Sequence, residues 1–233
     1  MKKVLLLLLF VAVSCTKQEG NLLFKGEVKG LSQGRIIVQR LQDSILKPIH
    51  VIDFDGNSEF ETSFDVNQYE VLYLYLDRGV TNSLDNNVAF FAQPGKMTLT
   101  SDVNNFINKT EVTGNENQEL WNEFKKVNRN FKTKRLALIE DRFKAQFEGK
   151  SNKVDSLILV EEKMVERNYL YGINFCINNA NRPIAPYIAL TELHDVNVEY
   201  LDTISKKMSD EVSSSTYGKA LNQYIQEINM SIK

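Results

Sequence analysis

From Leu22 to Gly114 apolar and polar residues alternate in short runs; beyond Gly114 the apolar residues recur at three- and four-residue steps. Alternation at period two belongs to strands with one buried face, and a period near 3.6 belongs to amphipathic helices. The alternating part predicts strands over 22–29, 35–41, 47–54, 58–64, 69–77, 87–93, 96–101 and 109–113. Eight of the eleven glycines lie between Gly20 and Gly114, and turn chemistry separates the runs. Asp55-Gly56-Asn57 offers the positive φ angles of a tight hairpin. Gln93-Pro94-Gly95-Lys96 has proline and glycine in type II order. Many short strands at this spacing predict an antiparallel sandwich or barrel.

The helical part begins with one long pattern over 115–149, whose inward stripe runs from Leu120, Trp121 and Phe124 to Phe143 and Phe147. Asn115 or Asn117 caps its start and Gly149 ends it. A second pattern covers 152–178, with Val154, Leu157, Ile158, Leu170 and Ile173 facing inward, and Asn178 to Pro183 breaks it. Shorter helices are predicted over 184–193, 197–208 and 216–231. The expected fold class is therefore α+β: an N-terminal antiparallel β-sandwich or barrel-like domain over 22–114, followed by a C-terminal all-helical segment over 115–233.

Ahead of both lies Lys2-Lys3 and an unbroken apolar run over 4–13. That run is shorter than the about 20 residues a spanning helix needs and has the size of a signal-peptide core. It ends in Ala12-Val13-Ser14-Cys15. Small residues before a cysteine resemble the lipobox of bacterial lipoproteins, with Ala12 where leucine is usual. The resemblance implies a signal peptide over 1–14, lipid on the Cys15 thiol, and a polar tether over 15–21. An ordinary secretory signal is the alternative. With acylation, the membrane is a partner through several acyl chains, which hold a protein almost permanently. Loss of Lys2 and Lys3 takes the net charge from −2 to −4.

Charge and chemistry narrow the field further. A net charge of −2 argues against a nucleic-acid binder, which needs a basic face for phosphates. Two cysteines cannot build a disulfide scaffold or a four-cysteine zinc site. Cys176, in the apolar stretch Ile173 to Ile177, reads as a small buried hydrophobe. His50 and His194, the latter beside Asp195, read as structural or surface residues. Asp53-Phe54-Asp55-Gly56-Asn57 starts like a calcium loop, yet Ser58 and Phe64 stand where glycine and glutamate belong. No catalytic residue, metal or cofactor is expected. Two features point to binding. On strand 69–77, Val71, Tyr73 and Tyr75 face one way and Leu72, Leu74 and Leu76 the other. Tyr73 and Tyr75 are thus the candidate ligand-binding pair, able to stack a sugar or to pack a second layer. Lys125, Lys126, Arg129, Lys132, Lys134 and Arg135 form a basic stripe that suits anionic lipid or glycan, or is simply solvated.

Several of these stretches resemble one family. Phe24-Lys25-Gly26-Glu27-Val28-Lys29-Gly30-Leu31 resembles the opening F-x-G-x-V-x-G-L of the DUF4369 domain. Asp55 to Phe60 is similar to its D-G-x-F turn, Ala92-Gln93-Pro94-Gly95 to its P-G turn, and Val112 to Asn117 to its V-x-G-S-x-x-N exit. Asn178 to Tyr187 is similar to the N-P-x-x-P-x-A-x-Y stretch of the helical segment that follows. Such domains are typical of envelope lipoproteins of Bacteroidota, where they precede a thioredoxin-like domain of the thiol-disulfide-interchange type. This chain stops at Lys233, where that domain would begin. The resemblance implies an outer-membrane lipoprotein; Lys17-Gln18-Glu19 is only loosely similar to the charged surface-export signals of such bacteria, which favours the periplasmic side over the cell surface. Its expected role is that of a non-catalytic binding module for an envelope protein or glycan. The alternatives are an accessory to a thiol-disulfide oxidoreductase supplied in trans and a glycan-binding lipoprotein.

Overall fold

A computed structural model describes residues 20–79 and 87–231. The signal peptide, Cys15 and the tether before Gly20 lie outside the described residues. Eight strands come first: β1 (Leu22–Lys29), β2 (Gln33–Gln42), β3 (Ile45–Asp55), β4 (Glu59–Phe64), β5 (Glu70–Asp77), β6 (Asn87–Ala92), β7 (Gly95–Asp102) and β8 (Glu111–Thr113). They form two four-stranded sheets, ordered β4-β1-β7-β8 and β3-β2-β5-β6. Between the sheets, Phe24, Ile36, Leu72, Leu74, Phe90 and Leu99 are completely buried. Each such side chain contributes roughly 1.5–3 kcal/mol by leaving water.

The sandwich is not wholly antiparallel, as its alternation alone suggests. β1 runs antiparallel to β4 but parallel to β7, with Leu22 opposite Gly95 and Lys29 opposite Asp102. Gly26 permits this pairing, since a Cβ there would sit 2.0 Å from the Leu99 carbonyl oxygen. The Asp55-Gly56-Asn57 turn also differs from expectation. β3 and β4 belong to different sheets, so the turn is a corner between layers, with Gly56 at φ +81°. The Pro94-Gly95 turn likewise carries the chain from one sheet to the other. The two-residue hairpin is instead Asp43-Ser44, joining β2 to β3 with both residues at positive φ. The expected strand over 109–113 is cut short. Phe106–Lys109 is a helical turn, α1, because Phe106 must reach the sandwich core.

Six helices follow: α2 (Glu116–Phe147), α3 (Ser151–Asn178), α4 (Ile184–Glu192), α5 (Val198–Lys207), α6 (Asp210–Ser214) and α7 (Thr216–Ser231). Asn115 caps α2 by accepting from the Gln118 N–H at 2.8 Å, as expected of an asparagine at that place. α2 and α3 make an antiparallel hairpin, with the shorter helices packed at its base. Here Trp121, Phe124, Ile173, Ile184, Ile188 and Leu221 form a second core with Val71 and Phe91 of the sheet. The predicted inward stripe does not hold to the tip. Phe143 is 50% exposed and Phe147 91%, because among the described residues no element beyond α2 and α3 themselves reaches that end. Ile158 and Leu170 of α3, also expected inward, stand at the surface, where both line an open cleft between α2, α3 and the start of α5. Among the described residues no helix is long and apolar enough to cross a membrane.

Candidate functional site

The helices cover one face of the β3-β2-β5-β6 sheet, and the seam is polar as well as apolar. β6 is an edge strand, so its outward N–H and C=O groups need partners. The Phe91 N–H donates to Gln118 Oε1 at 2.6 Å, and the Asn115 amide donates to the Phe91 carbonyl at 2.9 Å. The first turn of α2 thus completes the edge. Asn122 donates to the Val112 carbonyl at 2.8 Å, and the Tyr217 hydroxyl accepts from the Val71 N–H at 2.8 Å.

At one end of this seam lies a cavity of about 240 Å³. Tyr69 and Tyr73 of the sheet side, Tyr187 of α4 and Tyr217 of α7 line it, with Arg40 and Glu70. Tyr187 and Tyr217 meet edge to face at 5.1 Å, an arrangement that favours aromatic pairs. Burial pushes the Tyr217 hydroxyl up to about 12 and raises those of Tyr187 and Tyr73 as well, so all three stay neutral donors. Arg40 grips Glu70 with two bonds, Nε to Oε2 at 2.6 Å and Nη2 to Oε1 at 2.7 Å. The Glu70 hydrogen bond holds the guanidinium above its ordinary range. Glu70 also accepts from the Asn67 N–H at 2.7 Å, which fixes the loop that enters β5. The result is an aromatic cavity with a fixed charge pair at its side.

The structure separates the two tyrosines expected to act together. Tyr73 packs against the helical core and lines the cavity. Tyr75, two places along the same face, is half-buried and is no part of that lining. The other candidates scatter. Cys176 is fully buried, its thiol donating to the Ala185 carbonyl at 3.4 Å, and burial pushes it far up from its ordinary value. A thiol held so is no nucleophile. His50 contacts Thr62 Oγ1 at 2.7 Å and stacks on Phe64, with burial lowering its pKa. His194 is exposed, and its neighbour Asp195 accepts from the Tyr169 hydroxyl at 2.5 Å. The basic stripe also divides. Lys125, Lys126 and Arg129 line a cleft beside the sandwich, while Lys132 and Arg135 pair with Glu192 and Glu161. Lys134 is exposed.

Residues 23–121 match DUF4369, a domain of unknown function. The match ends at Trp121, the first buried hydrophobic residue of α2, and therefore takes in the turn that closes the β6 edge. No curated protein and no solved structure matches the chain.

Proposed function

We propose that this protein is a lipid-anchored outer-membrane lipoprotein of the cell envelope that works as a non-catalytic binding module, its seam cavity taking one ring of a glycan. The anchor would be Cys15, through the lipobox-like sequence before it, with the body on the periplasmic side. The observation that carries the binding reading is the gathering of four tyrosines from three separate segments around one cavity beside the Arg40–Glu70 pair. Aromatic faces stack on the apolar faces of a sugar ring, and a fixed charge pair orients its hydroxyls. A volume of about 240 Å³ suits a single ring at a chain end, below the span of cavities that hold drug-sized ligands. The redox-accessory reading would need a partner to bring both thiols, because Cys176 is sealed in the core.

The test is retention of the purified protein on immobilised cell-wall and dietary polysaccharides. Tyr73→Ala should weaken retention roughly tenfold, equal to about 1.4 kcal/mol, while Tyr75→Ala should leave it unchanged. Equal retention by wild type and Tyr73→Ala, with far-ultraviolet circular dichroism unaltered, refutes the glycan reading.

A further inference from the structure

We propose that the cleft between the β7–β8 edge and the first half of α2 is a second binding site, built for a polyhydroxylated anion: a sugar unit carrying a carboxylate or a phosphate. The cleft holds about 600 Å³ and shares no lining residue with the tyrosine cavity. Five cations line it, Lys29 at the end of β1, Lys109 of α1, and Lys125, Lys126 and Arg129 of α2, against two carboxylates, Asp102 and Glu111. Asp102 is already taken by Lys109 at 2.9 Å, which holds its carboxyl below the usual range. Among the described residues the other four cations form no ion pair. Like charges gathered in a cleft repel one another, and an anion relieves that repulsion while the walls focus the field on it.

Lys125 is the position where this matters most. It stands one helical turn from Trp121, its ammonium 4.6 Å from the ring centroid. Burial and the charge of Arg129 lower it to about 8, although the attraction of the ring face offsets part of that cost. A bound anion would restore a full charge there. The rest of the wall is neither apolar nor purely ionic. Thr100, Ser101, Thr110 and Asn122 add hydroxyls and an amide, partly engaged already: Thr110 donates to the Phe106 carbonyl, Ser101 and Thr110 are joined at 2.7 Å, and Asn122 donates to the Val112 carbonyl, which leaves the Thr100 hydroxyl and the remaining lone pairs to a ligand. An inorganic anion brings charge and acceptor oxygens only, whereas a sugar anion brings its charge to the cations and ring hydroxyls, which both donate and accept, to the rest of this wall.

Calorimetric titration of the full-length protein with glucuronate, glucose 6-phosphate, glucose and inorganic phosphate tests the proposal. Both sugar anions should bind, each at least about tenfold tighter than glucose or phosphate. Lys126→Gln with Arg129→Gln, both exposed and harmless to the fold, should weaken the sugar anions by about tenfold or more, and Tyr73→Ala should not. Affinity should also fall between about pH 7 and about pH 9 as Lys125 loses its proton, while Asp102 stays ionised throughout. Glucose or phosphate binding as tightly as the sugar anions would overturn the proposal. So would a folded double variant of unchanged affinity, or binding to phosphatidylglycerol vesicles with neither sugar anion bound.

Discussion

At its base the α2–α3 hairpin buries Trp121, Phe124 and Ile173 and trades hydrogen bonds with the Phe91 backbone; toward its tip it buries only Ala145 and leaves Phe147 almost fully exposed. The apolar periodicity is similar at both ends. What differs is the polar complement. The base carries Asn115, Asn117, Gln118 and Asn128, all buried and all hydrogen-bonded to another element or cap. The distal half relies on surface pairs such as Arg135–Glu161. An amphipathic stripe shows that a helix has a face to cover. Buried amides show that something covers it, since an unpaired polar group in a core is costly.

The largest expected effect tests the base. Phe91→Ala should lower the unfolding free energy by about 3–5 kcal/mol in urea denaturation, because Phe91 sits fully buried among Tyr187, Tyr217 and the helical core. If Phe91→Ala unfolds no earlier in urea than the parent, the seam is not a continuous core. A smaller loss, about 1–3 kcal/mol, is expected of Gln118→Ala, which strands the buried Phe91 N–H. Amide hydrogen exchange at Phe91 should rise in that variant; unchanged protection would mean another acceptor takes over. The smallest effect belongs to the distal half. Glu161→Ala removes the acceptor shared by Arg135 and Arg142 and should cost no more than about 1 kcal/mol, since both arginines remain partly in water. A loss comparable to that of Phe91→Ala would show the distal half to be as tightly built as the base.

The same contrast explains what could be seen in the sequence. Strand and helix identities were legible because period two and period 3.6 are local properties. Which sheet a strand joins is not local. Asp55-Gly56-Asn57 has hairpin chemistry and turns a corner between layers, whereas Asp43-Ser44, without a glycine, makes the tight hairpin. α6 escaped notice because five residues hold barely one turn of helix. At the cavity, Tyr73 was legible as an outward aromatic on a half-buried strand. Tyr187 and Tyr217 carried no separate signal, because tyrosine on a short apolar helix reads as ordinary core. Only the docking of α4 and α7 onto β5 brings the three rings together. The division of the basic stripe was equally hidden, since it depends on where the sandwich edge ends beside α2.

The parallel neighbour of β1 has a consequence for how the molecule is made. β1 is an inner strand of its sheet, yet its partner β7 begins at Gly95, after every other strand except β8. A chain emerging from its N-terminus can pair β2 with β3 early, but must hold one side of β1 open until β7 arrives. Non-local closure of this kind is slow and leaves a strand edge exposed while it waits. Assembly of the sandwich is therefore expected to follow completion of the whole β-rich segment rather than to keep pace with its synthesis.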